Sequence, residues 1–155
     1  MKRKVIVLQG IPASGKTTWA KTWVEENKET RVRFNRDEVR NMLGPYRTSS
    51  REDLIDSIYK SFLNEAMLSG YDIVLDNMNL NPKTISEIEE EVKSFNEWIG
   101  QSSINLVYEI EYKQFFDISL EECIKRDSLR DHPMEEEYIR GIYEKYKNAI
   151  NHENI

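Results

Sequence analysis

Two unbroken apolar runs stand out in an otherwise polar chain. Residues 4–9, KVIVLQ, and 71–76, YDIVLD, carry aliphatic stretches without polar alternation, the pattern of parallel strands buried on both faces. RVRF at 31–34 is a shorter strand candidate and INLVYEI at 104–110 a fourth. Between the runs, apolar positions recur every three or four residues. Ala20, Trp23 and Val24 stripe a helix over 17–27, and Leu54, Ile55, Ile58, Phe62, Leu63, Ala66 and Met67 stripe one from about Ser50 to Ser69. Gly70 ends that helix, and Pro82 opens another running to about Trp98. A short helix over 36–43 stops at Gly44–Pro45, and 44–50 reads as loop. Ser119 begins a helix through about Arg126, and Met134 to about Ala149 forms the last. Residues 111–118 read as the fourth strand's continuation or a loop, and 151–155 as a frayed tail. Strands alternating with helices predict one α/β domain over 1–155, a central parallel sheet flanked by helices in three layers.

The first strand runs directly into Gly10, Ile11, Pro12, Ala13, Ser14, Gly15, Lys16 and Thr17, followed by Thr18. Glycine, four residues, glycine, lysine, threonine is the phosphate-binding loop pattern, here in its strand–loop–helix setting. The glycines let consecutive amides point into one concavity at the positive end of the following helix. A nucleoside triphosphate, ATP or another NTP, would sit there, with Lys16 on its β- and γ-phosphates and the Thr17 hydroxyl on Mg²⁺.

Ligands of parallel α/β sheets bind beyond the carboxyl ends of the strands. Beyond the second strand come Arg36, Asp37 and Arg40, the last two three residues apart and so on one helix face. A carboxylate and an arginine beside a phosphate loop suit phosphorylation of a hydroxyl; a surface salt bridge is the plainer reading. Beyond the third strand come Asp76, Asn77, Met78 and Asn79, offering a magnesium-ordering carboxylate and hydrogen-bonding groups for an acceptor, or merely an asparagine-rich turn. Beyond the fourth lie Arg126 and Arg130, four apart, able to neutralise a transferring phosphoryl group or to form a solvated helix face.

Composition narrows the classes. There is no apolar run near the length of a membrane span, and the basic start MKRK precedes too short an apolar stretch for a signal peptide. The single cysteine, Cys123, is read as a packed helix residue in a reducing, cytoplasmic setting, and His132 and His152 lack partners at zinc spacing. A net charge of −6 argues against a broad basic nucleic-acid face. It leaves open a few local arginines gripping a strand end.

GIPASGKTTWA, FNRDEVR, NMNLNP and CIKRDSLR, in that order across residues 4 to about 146, resemble the kinase domain of phage-type 5′-hydroxyl polynucleotide kinases. The resemblance implies a P-loop kinase fold with a helical lid at about 126–134, and transfer of the ATP γ-phosphate to the 5′-hydroxyl of DNA or RNA. It implies Asp37 as general base and Arg40 as its partner near the scissile phosphate. Arg36 would hold the acceptor's nearest 3′-phosphate, Arg130 the donor phosphates, and Arg126 a place nearer the nucleobase. It implies Mg²⁺ on Thr17, with Asp37 or Asp76 reaching it through water. It also implies cytoplasmic work, in the host cell for a phage-encoded protein. The third loop departs from the family pattern: its usual aspartate falls on Asn77 and its threonine on Met78, while Asp76 lies one residue earlier. No DxDG[TS] phosphatase motif occurs, so 3′-end repair would need a separate phosphatase, with a ligase as a further partner. A P-loop kinase acting on a sugar, antibiotic or nucleoside, and a non-catalytic ATP-binding module, are the alternatives.

Overall fold

The computed structural model describes residues 1–44 and 49–152 as four strands and six helices. In order they are β1 (Lys2–Gln9), α1 (Lys16–Glu25), β2 (Arg31–Phe34), α2 (Arg36–Leu43), α3 (Ser49–Leu68), β3 (Asp72–Leu75), α4 (Pro82–Ile99), β4 (Val107–Gln114), α5 (Leu120–Ser128) and α6 (Glu136–His152). Every neighbouring pair in the sheet β2-β3-β1-β4 is parallel.

Alternation along the two central strands makes the three layers. Val5, Val7, Ile73 and Leu75 face α3 and α4, packing on Leu63, Met67, Ile88 and Phe95. Ile6, Leu8 and Val74 face the other way, onto Ala20 and the partly buried Trp19 and Trp23 of α1. A separate apolar cluster joins Cys123 of α5 and Ile139 of α6 to Ile11 and Leu80, which lie in loops over the carboxyl ends of β1 and β3. The helices α5 and α6 therefore stand as a hairpin, a helical lid, over the carboxyl ends of β1 and β3 in a three-layer α/β fold.

Three boundaries differ from expectation. The fourth strand is 107–114 rather than 104–110, because Lys2 to Gln9 of β1 pair with Val107 to Gln114 in register. As an edge strand it alternates in burial, and its outer Glu109 and Glu111 meet Lys2 and Lys4, each at 2.9 Å. The last helix starts at Glu136 rather than Met134, because both carboxylate oxygens of the buried Asp127 hold the amides of Met134 and Glu135 in a turn, at 3.0 and 3.2 Å. It runs to His152 because Ile150 is buried in the lid cluster. Residues 45–48 of the expected loop and 153–155 of the expected tail lie outside the described residues. Among the described residues no helix is long and apolar enough to cross a membrane.

Candidate active site

The loop after β1 is shaped by backbone that side chains would spoil. A Cβ on Gly10 would stand 2.6 Å from Ser14 Oγ and 3.1 Å from Phe115 Cβ. Gly15, at φ 104°, and Ala13, at φ 64°, take the left-handed region and turn successive amides toward one side. Lys16 opens α1 and folds back over the loop, donating to the carbonyls of Gly10 at 2.9 Å and Ile11 at 2.8 Å. Burial pulls its pKa down to about 8, against the opposing pull of Asp76 and Asp37, while the Arg130 charge lowers it further. Carboxylates and a guanidinium from three different strand ends thus bear on one ammonium.

Asp76, at the end of β3, is 1% exposed. Its Oδ2 accepts from Thr17 Oγ1 at 2.9 Å and from Arg33 Nε at 2.7 Å, while its Oδ1 has no hydrogen-bond partner. Arg33 also grips Glu38 with two parallel bonds of 2.9 Å, which hold the Glu38 carboxyl below the usual carboxylate range. Asn35 caps α2 by accepting from the Glu38 amide and donates to the Asp76 carbonyl at 2.7 Å. The Arg36 amide donates to Asn77 Oδ1 at 2.8 Å, so the two junctions beyond β2 and β3 are stitched together.

On α2, Asp37 accepts from Arg40 at 2.5 Å, and Arg40 binds both oxygens of Glu52 on α3, at 2.7 and 2.8 Å. Arg36 pairs with Asp56, lies 3.8 Å from Glu52, and sits over the Tyr59 ring at 5.6 Å. In the lid, Arg126 pairs with Glu122 at 3.1 Å and Arg130 with Asp127 at 3.5 Å.

These side chains converge on a cleft of about 820 Å³. Of the expected site residues, Pro12, Ala13, Gly15 to Thr18, Arg36, Asp37, Arg40, Asp76 to Asn79, Arg126 and Arg130 all line it. Gly10, Ile11 and Ser14 do not. They form the buried underside of the loop, Ile11 packing on the lid cluster. Asn79 also braces the sheet. At φ 47° its amide nitrogen donates to the carbonyls of Leu8 and Leu75, at 2.7 and 3.1 Å, bracketing the ends of β1 and β3. Cys123 is fully buried and its thiol is pushed up by that burial, so it is packing material.

Sequence reasoning passed over Arg33, Asp127 and Tyr59. For Arg33 a signal existed, a charge between Val32 and Phe34 inside a strand; for Asp127 and Tyr59 there was none.

Solved structures that resemble this architecture include two from one RNA repair assembly. A chain of the Pnkp1/Rnl/Hen1 RNA repair complex superposes with a TM-score of 0.75 at 20% identity, covering 94% of this chain and 44% of that one. A second, from a structure of the Pnkp1/Rnl/Hen1 complex, gives 0.64 at 23% identity, covering 86% and 42%. The chain thus spans less than half the length of either of these two solved chains, and the likeness establishes the fold. A family model described as an AAA domain, AAA_33, matches residues 5–140. With that match laid over a nucleotide-binding loop of this geometry, the chain belongs to the AAA_33 family of P-loop domains.

Proposed function

We propose that the protein transfers the γ-phosphoryl group of ATP to the 5′-hydroxyl end of a DNA or RNA strand. The observation that carries this reading is the position of Asp37. It opens the helix after β2, lines the same cleft as Lys16, and its charge bears on the Lys16 ammonium. A carboxylate so placed can receive the proton of a hydroxyl brought to the terminal phosphate. The acceptor oxygen–phosphorus bond then forms as the β,γ-bridging bond breaks, the proton passes to Asp37 and on to solvent, and ADP leaves. Lys16 and Arg130 hold the donor phosphates, Arg40 keeps Asp37 turned toward the cleft, Arg126 lies toward the nucleobase, and Arg36 faces the acceptor.

The residues present fit Mg²⁺. Mg²⁺ takes oxygen ligands and keeps several waters, so a hydroxyl and a nearby carboxylate are a fitting protein contribution. Thr17 Oγ1 would bind it, with the unpartnered Asp76 Oδ1 ordering its water. When bound, it neutralises charge on the donor phosphates.

A small-molecule alcohol, a sugar or nucleoside, is the second reading as acceptor. It is favoured by the acids already engaging Arg36 and Arg40. Incubation with γ-labelled ATP, magnesium, 5′-hydroxyl oligonucleotides and small alcohols tests the choice. Label on the oligonucleotide ends is the expected result. Label confined to small alcohols would replace the strand end as substrate. A strand-end kinase would work beside ligase and 3′-phosphatase activities.

A further inference from the structure

One side chain of β2 is out of keeping with its place. Arg33 lies opposite Val74, on the sheet face where Ile6, Leu8 and Val74 pack on Ala20, yet it is charged and its side chain is only 12% exposed. Burying a guanidinium is costly unless its donors are met, and a well-packed apolar residue is often no less stable at such a position. Stability alone gives little reason for an arginine here.

Each of its three nitrogens is held by a carboxylate. Nε donates to Asp76 Oδ2 at 2.7 Å, and the terminal fork grips both oxygens of Glu38, each at 2.9 Å. Glu38 sits in the first turn of α2, and the Asn35 cap of that helix donates to the Asp76 carbonyl. The guanidinium is therefore clamped at its far end by a helix that is itself fixed to the end of β3. At its near end it restrains one half of Asp76. Oδ2 is taken by Arg33 and Thr17, while Oδ1, among the described residues, has no hydrogen-bond partner. A carboxylate pinned through one oxygen cannot turn, so the other keeps a single direction.

We propose that Arg33 is a positioning residue of the donor site: anchored by Glu38, it pins Asp76 through Oδ2 and so keeps Oδ1 free to order the water of Mg²⁺. It touches neither nucleotide nor acceptor and acts through Asp76 alone. This rests on the donor half of the reading above, whatever the acceptor proves to be. Glu38, one residue beyond Asp37, is in this account the fixed end of a relay, Glu38 to Arg33 to Asp76.

The test titrates ADP into the protein by calorimetry at rising Mg²⁺, with EDTA as the metal-free arm and no acceptor present. Transfer from γ-labelled ATP to a 5′-hydroxyl oligonucleotide is measured beside it. Arg33→Lys keeps the charge and loses the fork, because an ammonium is a point donor. It should raise the Mg²⁺ concentration that gives half the gain in ADP affinity about tenfold, and lower kcat about tenfold, as loss of a ligand's supporting partner does. ADP affinity in EDTA and KM for the oligonucleotide should hold within about twofold. Glu38→Gln should move the Mg²⁺ half-point and kcat the same way by about threefold. The double variant should be no worse than Arg33→Lys, since a single relay is broken only once. A pair that merely bound β2 to β3 would lower Tm and leave the Mg²⁺ half-point in place, which would overturn the proposal. So would an equal loss of ADP affinity in EDTA, or fully additive effects of the two substitutions. A wild type that binds ADP with Mg²⁺ but labels no oligonucleotide would end the strand-end reading alone, and the half-point would still decide on Arg33.

Discussion

Around the phosphate loop many polar contacts run through the backbone, beside the side-chain bonds of Thr17 and Arg33 to Asp76. Lys16 rests on two loop carbonyls, the Gly10 amide donates to the Met78 carbonyl at 3.1 Å, and the Asn79 amide nitrogen holds the last carbonyls of two strands. At the acceptor end they run between side chains: Arg36 with Asp56, Arg40 with Asp37 and Glu52. Backbone geometry survives most substitutions, whereas a charge pair changes with either partner. The first construction suits a part that must recognise the same triphosphate whatever the substrate. The second suits a part whose preference is set by a few side chains on α2, α3 and α4.

The strongest challenge to that contrast is Lys16→Ala. It should abolish transfer by about 10³-fold and weaken nucleotide binding too, since this cation has no substitute in the loop; equilibrium nucleotide binding and a label-transfer assay read both losses. Asp37→Ala should cost about 10²-fold in transfer and leave nucleotide binding intact. A variant with full transfer would remove the carboxylate from the reaction, and one that also lost the nucleotide would dissolve the boundary between the two ends.

The donor end has its own pH signature. The Lys16 pKa of about 8 lies below the ordinary lysine value, and a bound triphosphate favours the ammonium. Nucleotide affinity should therefore be level below about pH 8 and fall above it, by up to about tenfold per unit, as the free protein loses the proton that binding demands. Titration calorimetry in two buffers of different ionisation enthalpy would register proton uptake above that pH, and a flat profile would contradict the buried cation. Smallest is the effect of Asp56→Asn. Releasing Arg36 from an exposed pair should lower KM for a phosphate-bearing acceptor by about two- to fivefold and leave KM for ATP alone.

What could be read from the chain follows the same division. β1 and β3 were legible because both faces are buried, and the glycine loop because its chemistry is written in consecutive letters. Asp37 and Arg40 were legible because three residues along a helix is a fixed geometry. β4 was placed three residues early because its alternating edge pattern, VYEIEYKQ, gives way at Leu106 and Ile104 to apolar residues that extend the run without pairing. Arg33 acts through Asp76 only because β2 lies beside β3, Arg33 opposite Val74, and no local pattern reveals strand order. Asp127 looked like one more charge in RDSLRD until the turn it closes brought Met134 and Glu135 to its carboxylate. Asn79 was offered to the acceptor by composition, while the fold spends its amide nitrogen on neighbouring strands.

Ile11 belongs to two structures at once: its carbonyl receives the Lys16 ammonium, and its side chain is a member of the apolar cluster under α5 and α6. An anion that drew the lysine outward would take a bond from a residue that also packs with both helices. The loop and the hairpin thus share a footing at Ile11, where a change of side chain would touch both.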